Sequence, residues 1–339
     1  MINVGVIGFG YWGPNVVRNL MSIVGMRVKM VCDSDPHNLK RAKALYPHLH
    51  FSLDYKEIID SPFIDAVAIV TSVSTHYEIA KRALKKGKHI FVEKPMAKSS
   101  VEAMELIKIA DSKKLVIMVD HTFLFTGAVA KIKELMDKNM LGDLYYYDST
   151  RISLGLFQHD VNVIWDLAPH DFYIIDYLIR NKSCRISAIG IDHFNRGHEN
   201  IAYITVHFKG GLIAHINTNW LSPVKVRNIL IGGQKKMLVW NDLEADEKIK
   251  IYDRGISVDG QEGIYKMLVE YRSGDMIAPK LDTTEALKKE MVYFYECITK
   301  SQVPFNDGYA GLRVVEMLEA TSRSLKQDGH EVCLHLSNP

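Results

Sequence analysis

The sequence predicts an α/β domain followed by an α+β domain whose open sheet is largely antiparallel. In the first third of the chain, short apolar runs alternate with helical patterns, and after about residue 120 strand patterns joined by turns dominate. The length of 339 residues also exceeds the usual size of one hydrophobic core. We therefore expect a first domain at residues 1–120 and a second at residues 121–339, with either one able to contribute segments to the other.

The first domain is predicted from near-continuous apolar runs, which are typical of strands buried on both faces of a parallel sheet. Between them, apolar residues recur at spacings of three and four, which predicts helices covering that sheet. The predicted strands are Val4–Gly8, Val28–Asp33, Ala66–Thr71, His89–Glu93 and Val116–Val119, and the predicted helices are Asn15–Met21, Asn38–Tyr46, Tyr77–Lys86 and Val101–Ser112.

The second domain is predicted from alternating apolar and polar residues, with glycine turns such as Lys209-Gly210-Gly211 between strands. Gly255–Leu281 shows neither a helical nor a strand period. The predicted strands are Leu144–Ile152, Ile186–His193, Ile201–Phe208, Leu212–Trp220, Val226–Ile231, Met237–Asn241 and Lys248–Tyr252, and the predicted helices are Ala128–Lys138, Pro169–Arg180, Thr284–Lys300 and Tyr309–Leu325.

Composition argues against several classes of partner. Lys plus Arg (42) nearly balances Asp plus Glu (40), so no nucleic-acid partner is expected. No apolar run approaches the roughly 20 residues of a membrane span, and the first residues lack an export leader, so we expect a cytoplasmic protein that does not bind membranes. The four cysteines match no metal-ligand spacing. His193, His198, His207 and His215 lack acidic companions at ligand spacing, so no metal is expected.

A glycine-rich loop directly follows the first predicted strand and directly precedes a predicted helix. The loop reads Gly8-Phe9-Gly10-Tyr11-Trp12-Gly13. Gly8 permits a tight turn, Gly10 allows the backbone to approach a pyrophosphate, and Gly13 lets the helix pack close to the strand. The N–H groups at the helix N-terminus attract phosphates. All six residues of the loop are therefore predicted to contact a dinucleotide cofactor.

Asp33 ends the second predicted strand, at the spacing expected for the acid that binds the adenosine ribose. Its carboxylate can accept hydrogen bonds from ribose hydroxyls but would repel the additional phosphate of NADP, and the following Ser34 supplies no compensating charge. The pattern therefore predicts NAD rather than NADP. The alternative is that Asp33 only caps the turn before Pro36.

Two other segments follow the carboxyl ends of predicted strands, where open parallel sheets bind their ligands. Lys94, in Glu93-Lys94-Pro95, is predicted to lie where the nicotinamide and the substrate meet, and Pro95 keeps its backbone out of helical geometry. The alternative is a surface lysine in an ordinary turn. The residues predicted to contact the cofactor at these strand ends are Thr71, Ser72, His76, Glu93 and Lys94.

Asp166 and His170 are four positions apart, so they share one face if the segment is helical. A histidine can take a proton from an alcohol near neutral pH, and a neighbouring carboxylate can orient it and stabilise its charged form. The alternative is that Asp166 or Asp171 caps a helix while His170 packs against the core.

Taken together, the glycine loop, Glu93-Lys94-Pro95 and Asp166-x-x-x-His170 resemble the Gfo/Idh/MocA family of glucose–fructose oxidoreductases and inositol dehydrogenases. The resemblance covers nearly the whole chain. It implies a Rossmann domain followed by a largely antiparallel open sheet, through which members assemble as homodimers or homotetramers. It also implies that Lys94 holds the reacting oxygen, that His170 accepts the proton, and that Asp166 is its partner.

Within that family, Gly10–Asn15 and Asn162–Asp171 look most like the branch acting on nucleotide sugars, which includes dehydrogenases of UDP-N-acetylglucosaminuronate at position 3. The resemblance implies an NAD-dependent sugar dehydrogenase or reductase acting on a CH–OH group of a nucleotide sugar. For Arg151, the sequence does not distinguish substrate contact from a structural ion pair. The residues expected to contact the substrate are Lys94, Phe123, Arg151, Asn162, Trp165 and His170.

Two other functions fit the same resemblance. Some relatives use tightly held NAD to hydrolyse glycosidic bonds without net redox change, and others are non-catalytic, NAD-bound sugar sensors. Lys94, Asp166 and His170 favour an enzyme, because a sensor needs no proton relay.

Overall fold

The computed structural model describes residues 1–154, 160–179, 183–258, 269–272 and 274–337. The chain divides into two compact units. The first unit contains Met1–Phe125, Thr284–Glu319 and Leu336–Pro339, and the second contains Thr126–Thr283 and Ala320–His335. The division differs from a single boundary at residue 120, because most of the C-terminal helical region belongs to the first unit.

Most helices follow the predicted pattern with shifts of up to four residues at their ends. The exceptions are the helix predicted from Pro169, which begins earlier, and a short additional helix over Tyr55–Asp60. A 3-10 turn covers Thr122–Phe125. The α-helices in the described ranges are α1 (Gly13–Met21), α2 (Pro36–Leu45), α3 (Tyr55–Asp60), α4 (Val73–Lys85), α5 (Ser100–Lys113), α6 (Gly127–Asp137), α7 (Val163–Leu178), α8 (Ala286–Thr299) and α9 (Gly308–Leu325).

The strands also agree with the prediction, except for several short strands that no apolar run in the sequence predicted. The strands in the described ranges are β1 (Ile2–Ile7), β2 (Met26–Cys32), β3 (His50–Ser52), β4 (Ala66–Ile69), β5 (His89–Val92), β6 (Ile117–Val119), β7 (Leu144–Leu154), β8 (Ser183–Ile191), β9 (Ile201–Phe208), β10 (Ile213–Asn219), β11 (Leu221–Gly233), β12 (Met237–Asn241), β13 (Ile249–Tyr252), β14 (Gly255–Val258), β15 (Val269–Arg272), β16 (Met276–Ile277) and β17 (Val332–Cys333).

The first unit is built on a parallel sheet with the strand order β3-β2-β1-β4-β5-β6. The order reverses direction between β1 and β4, which is the position at which such sheets bind ligands. Helix α8 adds Leu287, Met291 and Phe294 to one core of this unit, and the rings of Phe294 and Phe91 lie 5.9 Å apart. This packing explains why Thr284–Glu319 belongs to the first unit.

The second unit contains a larger sheet with the order β16-β13-β12-β11-β7-β10-β9-β8-β17. Its neighbouring strands pair antiparallel, except for β7 and β10, which pair parallel. The predicted combination of an α/β unit and an α+β unit with a largely antiparallel sheet is thus confirmed. No helix within the described ranges is both long and apolar enough to cross a membrane.

Helix α7 begins six residues earlier than predicted. Asn162 caps it, because its Oδ1 accepts a hydrogen bond from the backbone N–H of Trp165 at 3.0 Å. The predicted start, Pro169, lies inside the helix. Arg180, the predicted end, lies outside the described residues. The earlier start places both Asp166 and His170 on the helix.

Candidate active site

The glycine loop is shaped by close backbone contacts. Gly8 has a φ of +103°, and a Cβ at this position would lie 2.2 Å from the carbonyl oxygen of Val70. A Cβ on Gly13 would lie 2.4 Å from the carbonyl oxygen of Gly8. By contrast, a Cβ on Gly10 would meet no atom within 4 Å. The space over Gly10 is therefore open, and the loop fits the pyrophosphate of a dinucleotide.

Asp33 holds this loop in place from the end of β2. Its Oδ2 accepts a hydrogen bond from the N–H of Phe9 at 2.6 Å, and its Oδ1 accepts one from the N–H of Asp35 at 2.8 Å. The cap of α2 is Asp35, which accepts a hydrogen bond from the N–H of His37. Asp33 therefore does cap the turn before Pro36, as the alternative holds, and it also fixes the glycine loop. Ribose binding stays the prediction for it and for the exposed Ser34.

The segment after β4 divides into exposed and buried parts. Ser72 is exposed and Thr71 half-buried, so both remain candidates for cofactor contact. His76 is fully buried, and its ring nitrogens lie 2.9 Å from the carbonyl oxygens of Pro95 and Thr71. The predicted cofactor contact of His76 is therefore corrected: both ring nitrogens face backbone carbonyls, and the residue connects the loop after β4 to the loop after β5.

Three carboxyl groups meet where β5 and β6 end: Asp120 and Glu290 are buried, and Glu93 is half-buried. Glu93 and Asp120 directly follow these neighbouring parallel strands, and Glu290 approaches from α8. Glu93 accepts a hydrogen bond from the N–H of Lys94 at 2.9 Å. Asp120 accepts one from the indole N–H of Trp12 at 3.0 Å. The cluster thus contacts both the glycine loop and the segment that carries Lys94.

Burial, reinforced by the negative charge of Asp120, raises the pKa of Glu93 and the pKa of Glu290 well above their ordinary values. Glu290 is held by the N–H of His121 at 3.1 Å and by the side-chain amide of Asn306 at 3.0 Å. Sequence reasoning missed Asp120 and Glu290. The signal for Asp120 was its position directly after the last predicted strand, and Glu290 gave none.

Helix α7 presents the second group of predicted residues. The ring of His170 is partly exposed, and its Nδ1 lies 2.8 Å from the hydroxyl oxygen of Tyr173. The Oδ2 of Asp166 accepts a hydrogen bond from the indole N–H of Trp220 at 3.1 Å. The pairing of Asp166 with His170 stays a prediction. Tyr173 and Trp220 are contacts that sequence reasoning did not identify.

The remaining predicted substrate residues differ in their surroundings. The side-chain amide of Asn162 donates to Glu199 at 2.6 Å, and the indole of Trp165 donates to Ser322 at 3.0 Å. Phe123 lies partly exposed in the 3-10 turn of the first unit. Substrate contact stays a prediction for these three. In the described part of the chain, no group of three His, Cys, Asp or Glu side chains could hold a metal ion.

Arg151 forms a buried ion pair rather than the predicted substrate contact. Its Nε lies 3.2 Å from Oδ2 of Asp171, and the two side chains are 6% and 0% exposed. Asp171 also accepts hydrogen bonds from the hydroxyls of Ser149 at 2.6 Å and Tyr147 at 3.3 Å. Of the two interpretations that the sequence left open, the structure favours the ion pair, which ties α7 to β7.

Two family models match this chain. Residues 2–121 match the oxidoreductase family with an NAD-binding Rossmann fold, and residues 129–239 match the C-terminal domain of the same family. The chain belongs to the Gfo/Idh/MocA family. Its first unit is therefore an NAD-binding Rossmann domain, as predicted, and the protein is an oxidoreductase by family.

Three relatives of this chain show a range of named activities. The chain is 30% identical to 2,7-anhydro-N-acetylneuraminate hydratase of Escherichia coli, over 97% of this chain and 96% of the relative. It is 26% identical to the NAD-dependent scyllo-inositol 2-dehydrogenase of Bacillus subtilis, over 89% and 88%. It is also 26% identical to UDP-N-acetylglucosamine 3-dehydrogenase of Acidithiobacillus ferrooxidans, over 74% and 76%.

The solved structure of that UDP-N-acetylglucosamine 3-dehydrogenase shares the fold. It superimposes with a TM-score of 0.79 at 24% sequence identity, covering 96% of this chain and 98% of the other. Some other relatives match over a shorter stretch, in one case only 40% of the relative's own length.

Substitutions at Gly8 and Gly10 separate folding of the loop from cofactor binding. Gly8→Ala should lower both the melting temperature and NAD affinity, because its Cβ would collide with the carbonyl of Val70. Gly10→Ala should keep the melting temperature but weaken NAD binding by about tenfold or more, a loss of about 1.4 kcal/mol. Thermal unfolding and calorimetric NAD titration measure the two effects. Unchanged NAD affinity in Gly10→Ala would contradict this assignment of the loop.

Glu290→Gln should change how stability depends on pH. Because the folded-state pKa of Glu290 is raised, its contribution is fully present below the unfolded pKa of about 4.3 and is lost as pH rises toward the folded value. The glutamine variant should therefore lose less stability than the wild type between pH 4 and pH 8. Urea unfolding across this range measures the difference, with Glu296→Gln on the same helix as control. If the free energy of unfolding changed with pH in the same way for wild type and Glu290→Gln, the raised pKa of Glu290 would be excluded as a source of the pH dependence.

Asp171→Asn should lower the free energy of unfolding by about 3–5 kcal/mol, because it removes the buried carboxylate that pairs with the Arg151 guanidinium. Urea denaturation measures this loss. The matched control is Glu331→Gln, which removes the exposed partner of Arg185 in the same unit and should cost less than about 1 kcal/mol. Similar losses of unfolding free energy in the two variants would show that burial does not determine how much the Arg151–Asp171 pair contributes to stability.

Proposed function

We propose that this protein is an NAD-dependent dehydrogenase or reductase that acts on a CH–OH group of a sugar, with a nucleotide sugar as substrate. The observation that carries the proposal is the partly exposed imidazole of His170, four positions after Asp166 on α7, in a chain whose first unit is an NAD-binding domain. Relatives named as a scyllo-inositol dehydrogenase and a UDP-N-acetylglucosamine dehydrogenase support a sugar hydroxyl as the reacting group.

The proposal gives each polar residue a distinct task. His170 takes the proton of the substrate hydroxyl during oxidation, and the carboxylate of Asp166 stabilises the resulting imidazolium. The ammonium of Lys94 stabilises negative charge developing on the same oxygen. The bound NAD supplies the hydride acceptor, and the glycine loop with Asp33 would hold it. Reduction of a ketosugar runs the same proton transfer in reverse.

A redox-neutral reaction is the second candidate. It is favoured by the E. coli relative named as a hydratase, which matches 97% of this chain. The same proton-transfer residues and a permanently held NAD would serve hydration or hydrolysis with no net change of the cofactor. Such an enzyme would convert its sugar without accumulating reduced nicotinamide.

We also propose that the chain assembles as a homodimer or homotetramer through one face of the second sheet. The support is a set of exposed apolar side chains on one face of three neighbouring strands: Ile189 lies opposite Tyr203, and Ile213 lies on the next strand opposite His207. Light scattering coupled to gel filtration should give a multiple of 38.5 kDa. A monomer would contradict this part of the proposal.

A ligand screen tests the substrate class. UDP- and TDP-sugars are added with NAD present, and those that bind the folded protein raise its melting temperature. Each hit is then assayed for reduced nicotinamide by absorbance and for product by chromatography. Formation of both supports the dehydrogenase, product without absorbance change supports the redox-neutral reaction, and neither with any sugar would contradict an enzyme of this class.

Lys94→Ala and His170→Asn should each lower kcat/KM by about 100-fold or more, while the dissociation constant for NAD changes far less. The reason is that both groups act on the reacting oxygen and its proton. Steady-state kinetics on the hit from the screen, with NAD titration, measures this split. Controls are Lys98→Ala and His48→Asn, whose side chains are exposed. Loss of NAD affinity equal to the loss of turnover would contradict the assigned tasks.

A further inference from the structure

Tyr173 lies one helical turn after the candidate base on α7. Its hydroxyl oxygen is 2.8 Å from Nδ1 of His170, and the two rings meet edge to face at a centroid distance of 5.7 Å and an interplanar angle of 83°. Residues three apart on a helix are surface neighbours, so the backbone itself holds this pair together. The contact involves the ring nitrogen closer to the helix and leaves Nε2 at the far side of the imidazole.

The tyrosine is the fixed member of the pair. The residue is 2% exposed, and its chain neighbours Phe172 and Ile174 are completely buried. Tyr173 also lies near Arg151 and Tyr147, both of which belong to the buried cluster around Asp171. His170, in contrast, is partly exposed. A buried hydroxyl at a fixed position can therefore restrict the orientation of a more accessible imidazole.

The position of one proton decides what this histidine can do. A neutral imidazole carries its proton on either Nδ1 or Nε2, and only the unprotonated nitrogen can act as a base. A hydroxyl can either accept a hydrogen bond from Nδ1–H or donate one to an unprotonated Nδ1. The hydrogen bond at one ring nitrogen thus sets the protonation of the other.

We propose that the Tyr173 hydroxyl accepts a hydrogen bond from Nδ1–H of His170 and so keeps the lone pair on Nε2. Tyr173 is then a positioning residue: it touches neither substrate nor cofactor and acts through His170. The same bond persists when Nε2 takes up a proton, because the imidazolium also carries Nδ1–H. This inference deepens the proposed function, on which its consequence for turnover rests.

The position of Tyr173 also clarifies the role of Asp166. Asp166 lies one turn before His170 and accepts a hydrogen bond from Trp220, while Tyr173 lies one turn after it. In the proposed mechanism, the carboxylate stabilises the charged imidazole, and the hydroxyl fixes the proton at Nδ1. The two residues therefore have separable effects, one on charge and one on tautomer.

The test reads the tautomer of His170 directly by nitrogen NMR. Protein labelled with ¹⁵N-histidine is measured without cofactor or sugar, at a pH where the imidazoles are neutral, and a His170→Asn variant assigns the resonance among the 14 histidines. We expect a protonated Nδ1 and an unprotonated Nε2 in the wild type. In Tyr173→Phe, which removes only the hydroxyl, we expect a mixture of both tautomers.

Tyr177→Phe is the matched control, because it makes the same change one turn further along α7. It should leave the His170 resonances unchanged, and thermal unfolding of all variants checks that each is folded. An unprotonated Nδ1 in the wild type, or the same tautomer in wild type and Tyr173→Phe, would overturn the proposal. The tautomer is measured without substrate. The result can therefore be interpreted even if the proposed sugar chemistry proves wrong.

A kinetic measurement follows once the screen has provided a substrate. Tyr173→Phe should lower kcat about tenfold or more with little change in KM, because it affects proton transfer rather than binding. A rise in KM at unchanged kcat would instead indicate a role in substrate binding and would count against the proposal.

Discussion

The free-energy cost of removing a carboxylate from water constrains the structure of both units of this protein. An isolated buried carboxylate is highly unfavourable, so each one has to be paired, protonated or surrounded by donors. Of the buried groups, Asp171 is paired with Arg151 and bound by two hydroxyls, and Glu290 is shifted toward its protonated form. The half-buried Glu93 is shifted in the same direction, and the half-buried Asp33 binds two backbone N–H groups. Each of these interactions holds in place a segment that carries a candidate functional residue.

The architecture could be predicted from the sequence because its strongest signals are local. Apolar runs revealed β1, β2 and β4, and the loop glycines follow from steric needs that depend on neighbouring residues alone. Strand β3 was missed because His50-Phe51-Ser52 is too short to show a period. The start of α7 was misplaced because Pro169 resembles a first-turn proline, whereas the cap at Asn162 determines the start.

The candidate site was predictable only in part, for a related reason. Motifs identified Lys94, Asp166 and His170 as chemically competent residues, but the groups that surround them are selected by the folded chain. Trp220 reaches Asp166 across 54 positions, and Glu290 comes from a helix that the sequence division assigned to the other domain. Arg151 was ambiguous because its partner Asp171 is 20 positions away. Tyr173 is the exception, since a spacing of three on a helix is visible in the sequence.

The parallel pairing of β7 with β10 has a consequence for how this family can vary. Two parallel neighbours cannot be joined by a hairpin, so the chain has to travel back along the sheet before it re-enters. Helix α7 lies within that return path and packs against β9 and β10. Lengthening or shortening the helix would disturb the central strands themselves. Evolutionary change of specificity should therefore accumulate in loops at the edges of the sheet, while the helix that carries His170 keeps its length.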